Sequence, residues 1–317
     1  MSRPTIAELK PLDELFRELV IGYGNEHYIW RNLAPPVRVG KQSGTFFKWV
    51  RDFVFRAPDG IRAESGHYQR ITWGHETDTF HCVERGFEAR IDEVKRAASL
   101  HPIDLMTQAT NEVMGKLDLR MEMDVADTLF KAGVWPQSTA NRQWHKAAGT
   151  PIADIEAAID EIREATGNWS GPSRIIAIMS RAVWTALRNH EDIVERYKYT
   201  RGGVMTTELV APIVGVDAIY VGDAIYNDAE EGETFDGEEI WPDHCLILRQ
   251  TTNPGINVPN AAYTFLWDED NRAYPVGSEV YRDDAVRGDV ARAFLHRDIK
   301  VTGDVFGYFY QDPILSA

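Results

Sequence analysis

The chain has 317 residues, of which 44 % are apolar and 26 % are charged, a composition typical of a folded globular protein. Its formal net charge is -15 and no basic cluster is present, so specific binding to nucleic acid through phosphate contacts is not expected. No apolar run reaches the ~18–20 residues that span a bilayer. The N-terminus also lacks the apolar stretch of a secretory signal, so we expect no membrane association and folding in a cytoplasm.

The N-terminal segment, 1–43, is predicted to be an extended arm. Apolar side chains recur at helical spacing between Leu12 and Val20, which indicates one short amphipathic helix. Paired prolines at 35 and 36 then favour an extended backbone. Two stretches rich in aromatic and β-branched residues follow at 45–55 and 71–91. With the turn signal between them, they predict a long two-stranded hairpin with a polar tip.

This hairpin is the main candidate surface for assembly. Two strands have two faces and no second layer, so they cannot bury a set of aromatic side chains alone. We therefore expect a neighbouring subunit to cover the hairpin, while charged residues at its tip form pairs that fix the register of the contact. The predicted assembly residues are Phe46, Phe47, Trp49, Phe53, Phe55, Arg56, Asp59, Arg62, Glu64, Arg70 and Trp73.

The longest predicted helix spans 103–132. Apolar residues from Leu105 to Leu129 recur every four positions, and Gly133 is well placed to end the helix. At ~1.5 Å per residue it would run ~45 Å, which is more than a compact domain usually needs. Because strict four-residue spacing drifts around a helix of 3.6 residues per turn, successive turns should face different partners.

Helices and strands alternate in the rest of the chain. A helix is predicted over 151–166 with Thr150 as its cap, and another from the capping residue Ser180 to about residue 197. The strand predictions are 174–179, 216–222, 244–249, 262–267, 274–282, 292–301 and 305–310. The pattern predicts an α+β fold, in which a helix-and-sheet middle interrupts an outer part drawn from both ends of the chain.

The two cysteines, Cys82 and Cys245, are interpreted as buried structural residues. Each lacks a cysteine neighbour, so CxxC zinc or redox motifs and a disulfide framework are excluded. The sequence also contains no nucleophile elbow, P-loop or dinucleotide fingerprint. We expect neither a catalytic site nor a cofactor.

Two acidic segments are candidate metal sites. One contains His75, Glu76, Asp78 and His81, but on an alternating strand the histidines and the carboxylates point to opposite faces. The other is the loop at 228–243, which has eight carboxylates and no Lys or Arg, but not the spacing of a calcium loop. A solvated surface is the preferred interpretation of both.

The order of these elements resembles the major capsid proteins of tailed bacteriophages with the Hong Kong 97-type capsid fold, especially those with a separately encoded scaffold. The resemblance extends over nearly the whole chain from about residue 28. It is carried by the helix after residue 103, the segments 35–48, 56–60 and 78–93, and the loop 252–260 before a Tyr-x-Phe strand.

The resemblance implies a structural subunit of an icosahedral shell around packaged double-stranded DNA. The expected partners are further copies in pentameric and hexameric capsomers, a scaffolding protein, a portal and a decoration protein. The expected location is the virion, after assembly in the host cytoplasm. The implied divisions are an N-terminal arm (1–43), an extended loop (44–90), a peripheral domain with a spine helix (91–149), an axial domain (150–265) and returning peripheral strands (266–317).

Two other functions compete with this interpretation. An encapsulin-like nanocompartment subunit would share the fold but enclose enzyme cargo, and the long aromatic extended loop favours the phage protein over it. A soluble enzyme with a carboxylate-rich site around the acidic loop would instead be a monodisperse monomer with metal-dependent activity.

Overall fold

The structure of the protein is a computed structural model. The residues that this structure describes are 28–49, 55–57, 59–62, 64, 66–71, 76–98, 102–138, 143–167, 169, 171–198, 205–229, 232–268, 276–285 and 287–314. The predicted helix between Leu12 and Val20 lies outside these residues, as do Phe53, Trp73 and His75. In the described part of the chain, no helix is both long and apolar enough to cross a membrane.

The described residues form a mixed α+β structure. The helices are α1 (Trp30–Leu33), α2 (Glu93–Ala98), α3 (Pro102–Leu129), α4 (Pro151–Thr166), α5 (Arg181–Asn189), α6 (Glu191–Lys198) and α7 (Thr207–Val210). The strands are β1 (Pro36–Val39), β2 (Ser43–Lys48), β3 (Glu76–His81), β4 (Val83–Asp92), β5 (Gln137–Ser138), β6 (Ser173–Ser180), β7 (Ala218–Gly222), β8 (Ile225–Asn227), β9 (Gly237–Glu239), β10 (Cys245–Thr251), β11 (Ala262–Trp267), β12 (Gly277–Asp283), β13 (Gly288–Val301) and β14 (Gly307–Tyr310).

An outer sheet is organised around the long strand β13. This strand pairs with β4 along one edge and with β12 and then β11 along the other, while β1 adds in parallel to β11. Helix α3 packs on one face of this sheet, where the buried Leu117 and Met121 share a core with Ala293 and Leu295. With 28 residues, α3 runs about 42 Å at ~1.5 Å per residue, which confirms the predicted long helix.

A central sheet has the strand order β5-β14-β10-β6-β7. Ala177 and Met179 on one face of β6 pack with α4 and α5, whereas Ile176 and Ile178 on the other face join the core that contains α3. Burial on both faces explains why β6 is a continuous apolar run rather than an alternating pattern. The predictions of β6, of α4 and of two buried cysteines are confirmed.

The structure corrects two predicted helix features. The helix predicted from Ser180 to residue 197 is interrupted at His190, whose extended backbone separates α5 from α6. Its Nδ1 atom accepts a hydrogen bond from the backbone N–H of Asp192 at 3.3 Å, so the second helix has a cap of its own. Ser180 caps α5 as predicted, but the Thr150 side chain makes no capping bond to the backbone of α4.

Pairing with distant parts of the chain also decides where several strands end and which sheet they join. The stretch 71–91 is not one strand, because Cys82 separates β3, which pairs with β2, from β4, which pairs with β13. In addition, β14 lies in the central sheet beside β10. Conversely, β11 lies in the outer sheet beside β13.

Glu122, in the middle of α3, joins this helix to two other segments. Its Oε1 atom accepts hydrogen bonds from the backbone N–H of Ile29 at 3.0 Å and from the indole N–H of Trp241 at 2.9 Å. Its Oε2 atom accepts one from the backbone N–H of Trp30 at 2.9 Å. The side chain is fully buried, and this burial raises the pKa of Glu122 to about 7 against the lowering effect of the three donors.

The raised pKa predicts a specific pH dependence of stability. Between about pH 4.5 and pH 7 the folded subunit holds a proton on Glu122 that the unfolded chain has lost, so the free energy of unfolding should fall as the pH rises. Glu122→Gln removes this contribution and should flatten the dependence in urea titrations of the isolated subunit. Glu112→Gln, an exposed change on the same helix, should leave it unchanged. Parallel pH curves for wild type and Glu122→Gln would contradict the prediction.

Candidate assembly surface

The root of the extended loop is the two-stranded ribbon formed by β2 and β3. Phe46 and Phe80 point to the same side of this ribbon and lie against Phe265 of β11, with ring centroids 5.3 Å and 4.6 Å apart. The backbone N–H of Cys82 donates to the carbonyl of Gln42 at 2.8 Å and closes the root. The ribbon is therefore anchored to the outer sheet of its own subunit.

This anchoring corrects part of the sequence interpretation. Phe46 is only 1 % exposed. Trp49 is partly buried, donates its indole N–H to the carbonyl of Ala165 at 3.4 Å, and meets Phe306 edge-on at 5.7 Å. A neighbouring subunit is therefore not needed to cover Phe46, because one face of the ribbon rests on the subunit's own core, whereas Trp49 is covered only in part by its own subunit.

Beyond the ribbon, the residues between 55 and 71 that the structure describes are almost all exposed. Phe47, on the outer face of β2, is 48 % exposed, and Phe55 is 38 % exposed. Farther along, Ile61, Tyr68 and Ile71 are 84 %, 74 % and 71 % exposed. Sequence analysis missed these three side chains, because they are scattered among polar residues without the periodicity that marks a buried face. Contiguous exposed apolar surface marks interaction sites, so this segment is a candidate contact surface.

The predicted charged residues of the loop lie on this exposed segment. They are Arg56, Asp59, Arg62, Glu64 and Arg70. The guanidinium group of Arg62 lies 4.9 Å from the Tyr68 ring centroid, and its Nε donates to the carbonyl of Gly66 at 2.6 Å. This contact gives part of the segment a local shape without burying it. Phe53 and Trp73 cannot be placed, because they lie outside the described residues.

A second exposed surface is the short hairpin of β8 and β9. Ile225 and Phe235 are 56 % and 70 % exposed and lie among the carboxylates of the acidic loop. The Tyr226 hydroxyl donates to Glu238 at 2.7 Å, and this bond raises the pKa of Tyr226 to about 12. Except for Asp243, which is partly buried and bonded to Ser180, the loop carboxylates that the structure describes are exposed.

Neither predicted acidic segment forms a metal centre among the described residues. On β3, Asp78 pairs with Lys48 at 3.2 Å and the His81 imidazole lies 3.1 Å from the Ser43 hydroxyl. In the acidic loop, the described carboxylates other than Asp243 are exposed to solvent. The polar side chains of β3 therefore contact the neighbouring strand β2, and those of the acidic loop are mostly solvated.

A wide cleft of about 730 Å³ lies beside α4 and contains the charged side chains of Arg163, Glu164, Asp217 and Arg249. Arg249 donates to the carbonyl and the hydroxyl of Thr166, both at 2.9 Å, and so caps the end of α4. Asp217 accepts a backbone N–H at 2.7 Å. These contacts give both side chains structural roles.

Comparison with known proteins confirms the predicted relationship to phage major capsid proteins. A family model described as Phage major capsid protein E matches residues 131–212. The major capsid protein of Burkholderia phage BcepMu is 26 % identical over 249 residues, which cover 76 % of this chain and 77 % of the relative.

Solved structures share the fold. A phage-related protein from Bordetella bronchiseptica matches with a TM-score of 0.75 at 20 % identity, over 96 % of this chain and 98 % of that one. A chain of the capsid of Cyanophage P-SCSP1u matches with a TM-score of 0.53 at 12 % identity, over 91 % and 89 %. The SrpI encapsulin of Synechococcus elongatus PCC 7942 also has a TM-score of 0.53, at 8 % identity and over 98 % and 96 %. The fold is therefore the mixed α+β fold of phage capsid proteins, which this encapsulin shares.

Two adjacent residues of β2 test the division between core and exposed surface. Phe46→Ala should lower the free energy of unfolding of the isolated subunit by about 3–5 kcal/mol, because it empties a buried contact with Phe265. Phe47→Ala makes the same chemical change one residue away, on the exposed face, and should cost far less. Urea unfolding measures both. Equal losses of unfolding free energy would contradict the assignment of Phe46 to the core and of Phe47 to the exposed surface.

Proposed function

We propose that this relative of the phage major capsid proteins is the subunit of an icosahedral tailed-phage head and assembles into pentameric and hexameric capsomers. The observation that carries the proposal is the extended loop between β2 and β3. Its root belongs to the subunit core, whereas beyond the root it presents Ile61, Tyr68 and Ile71 to solvent. A subunit with several large apolar side chains exposed on one segment is suited to contact a copy of itself.

The energetics of the loop favour assembly over isolation. Full burial of a large aliphatic or aromatic side chain contributes about 1.5–3 kcal/mol, so covering several of them can offset part of the cost of association. Arg56, Asp59, Arg62, Glu64 and Arg70 alternate in sign along the same segment. Charges of both signs at the edge of a contact mainly select its register and partner.

The chain's relatives favour a phage head over the competing functions. The family model and the curated relative are both named as phage major capsid proteins, which implies a structural role rather than a catalytic one. Further proposed partners are a scaffolding protein, a portal and a decoration protein. The subunit would assemble in the host cytoplasm and remain in the virion.

The direct test is imaging of the purified protein by negative-stain electron microscopy. The chain is expressed with and without a candidate scaffolding protein, and closed shells are expected at least when the scaffold is present. Single subunits or small oligomers in both preparations would contradict the proposed function.

The exposed loop side chains should matter for shells but not for folding. Ile61→Ser combined with Ile71→Ser should leave the melting temperature of the subunit nearly unchanged, because both side chains are exposed, and should prevent closed shells. Val94→Ser combined with Ile225→Ser is the matched control, since these aliphatic side chains are also exposed but lie outside the loop. Normal shells from the loop variant would exclude these positions as assembly contacts.

The net charge of -15 predicts that the shell does not hold DNA through a basic lining. Binding that depends on many phosphate contacts weakens by orders of magnitude over a modest rise in salt. Fluorescence anisotropy of labelled duplex DNA with free capsomers should therefore show no tight, steeply salt-dependent binding. Tight binding with a steep salt dependence would contradict the prediction, because it would show that a basic surface of the capsomer contacts the DNA phosphates.

A further inference from the structure

Three arginines converge on one aspartate where α3 meets the outer sheet. Asp124 of α3 forms ion pairs with Arg120 at 2.7 Å, with Arg85 of β4 at 3.5 Å and with Arg297 of β13. In the described part of the chain, no second carboxylate lies within ion-pair distance of these three guanidinium groups. Three positive charges therefore share one negative charge.

Arg297 shows that the cluster is incompletely neutralised. Its side chain is 3 % exposed, and its Nε–H is buried without a hydrogen-bond partner among the described residues. Burial lowers the pKa of Arg297, and the charges of Arg85 and Arg120 lower it further, while Asp124 opposes them. Buried charge is costly unless it is paired, and Arg297 shares Asp124 with Arg85 and Arg120, so a further anion at this site would be stabilised.

The cluster is open on one side. The side chains of Arg85 and Arg120 are 47 % and 42 % exposed, so an incoming group can reach them. Val83, opposite Arg297 in the pairing of β4 with β13, is 51 % exposed. A protein surface that covered Val83 would also exclude water from the arginines, and an ion pair is stronger where water is excluded.

We propose that this arginine cluster, formed by Arg85, Arg120 and Arg297, binds a carboxylate of a second copy of the chain. The proposal rests on the proposed shell function, because it places two copies in contact. Carboxylates are the groups that a facing copy offers in excess, since the chain has 49 acidic and 34 basic residues. The planar guanidinium group binds a carboxylate through two parallel hydrogen bonds, which gives the contact a defined geometry.

Cryo-electron microscopy of wild-type shells locates the occupant. A carboxylate from a neighbouring copy should lie about 2.7–2.9 Å from a guanidinium nitrogen of Arg85 or Arg120. A nucleic-acid phosphate, a carboxylate of the same copy or solvent alone at this position would overturn the inference while leaving the shell itself intact.

A pair of double variants tests the contribution of the site. Arg85→Gln with Arg120→Gln keeps the pair between Arg297 and Asp124, so the isolated subunit should melt as wild type does. The protein concentration needed for shell assembly should rise at least about tenfold, which corresponds to ~1.4 kcal/mol. Arg163→Gln with Arg181→Gln is the control, because each of these exposed arginines is paired with a single aspartate.

The outcomes separate the two proposals. If the wild type forms shells and both double variants assemble at the same concentration, the arginine site is wrong and the shell function stands. If the wild type forms no shells under any scaffold condition, the shell function fails and the inference fails with it.

Discussion

The buried core that α3 shares with both sheets is the contact on which the rest of the molecule depends. The helix packs on the outer sheet, where Ala291 and Ala293 of β13 keep the sheet surface low enough for close approach. The same core includes Leu246 and Leu248 of the central sheet. A helix that packs against more than one partner needs apolar residues on more than one face. The strict four-residue repeat places them there, because it drifts around a helix of 3.6 residues per turn.

Because α3 is shared, polar contacts along it also join distant segments. Glu122 holds the segment before β1 and the loop before β10, whereas Asp124, two residues later, faces the end of β13. Residues two positions apart point in different directions on a helix, so one turn of α3 makes two separate junctions. The first is fully paired within the subunit, and the second carries more positive than negative charge.

Local patterns predicted the elements but not how they pair. The apolar periodicity of α3, the Ser180 cap of α5 and the continuous apolar run of β6 each lie within one segment, and each of these predictions is confirmed. The break at Cys82 and the position of β14 depend on partners far along the chain. The arginine cluster has the same origin, since Arg297 and Arg120 are 177 positions apart. No spacing rule applied to a single segment could have found it.

The same limit explains the mixed outcome for the extended loop. A run of aromatic residues indicates a strand, but only tertiary structure decides which face of it is covered. Phe46 and Phe47 are neighbours with the same side chain, and the pleat of β2 sends one into the subunit core and the other towards solvent. The subunit thus covers the root of the loop with its own core and leaves the large apolar side chains of the described outer part exposed.

Association between copies must also overcome the repulsion of chains that each carry a net charge of -15. Exposed apolar side chains supply attraction that does not depend on charge, but they do not define one orientation. A local cluster of positive charge in an acidic chain can supply both attraction and orientation. It attracts the acidic surface of the neighbour, and its guanidinium groups bind a carboxylate in one geometry. An outward-facing apolar loop combined with an under-neutralised arginine cluster is therefore a physically consistent way for like-charged subunits to form a contact of defined orientation.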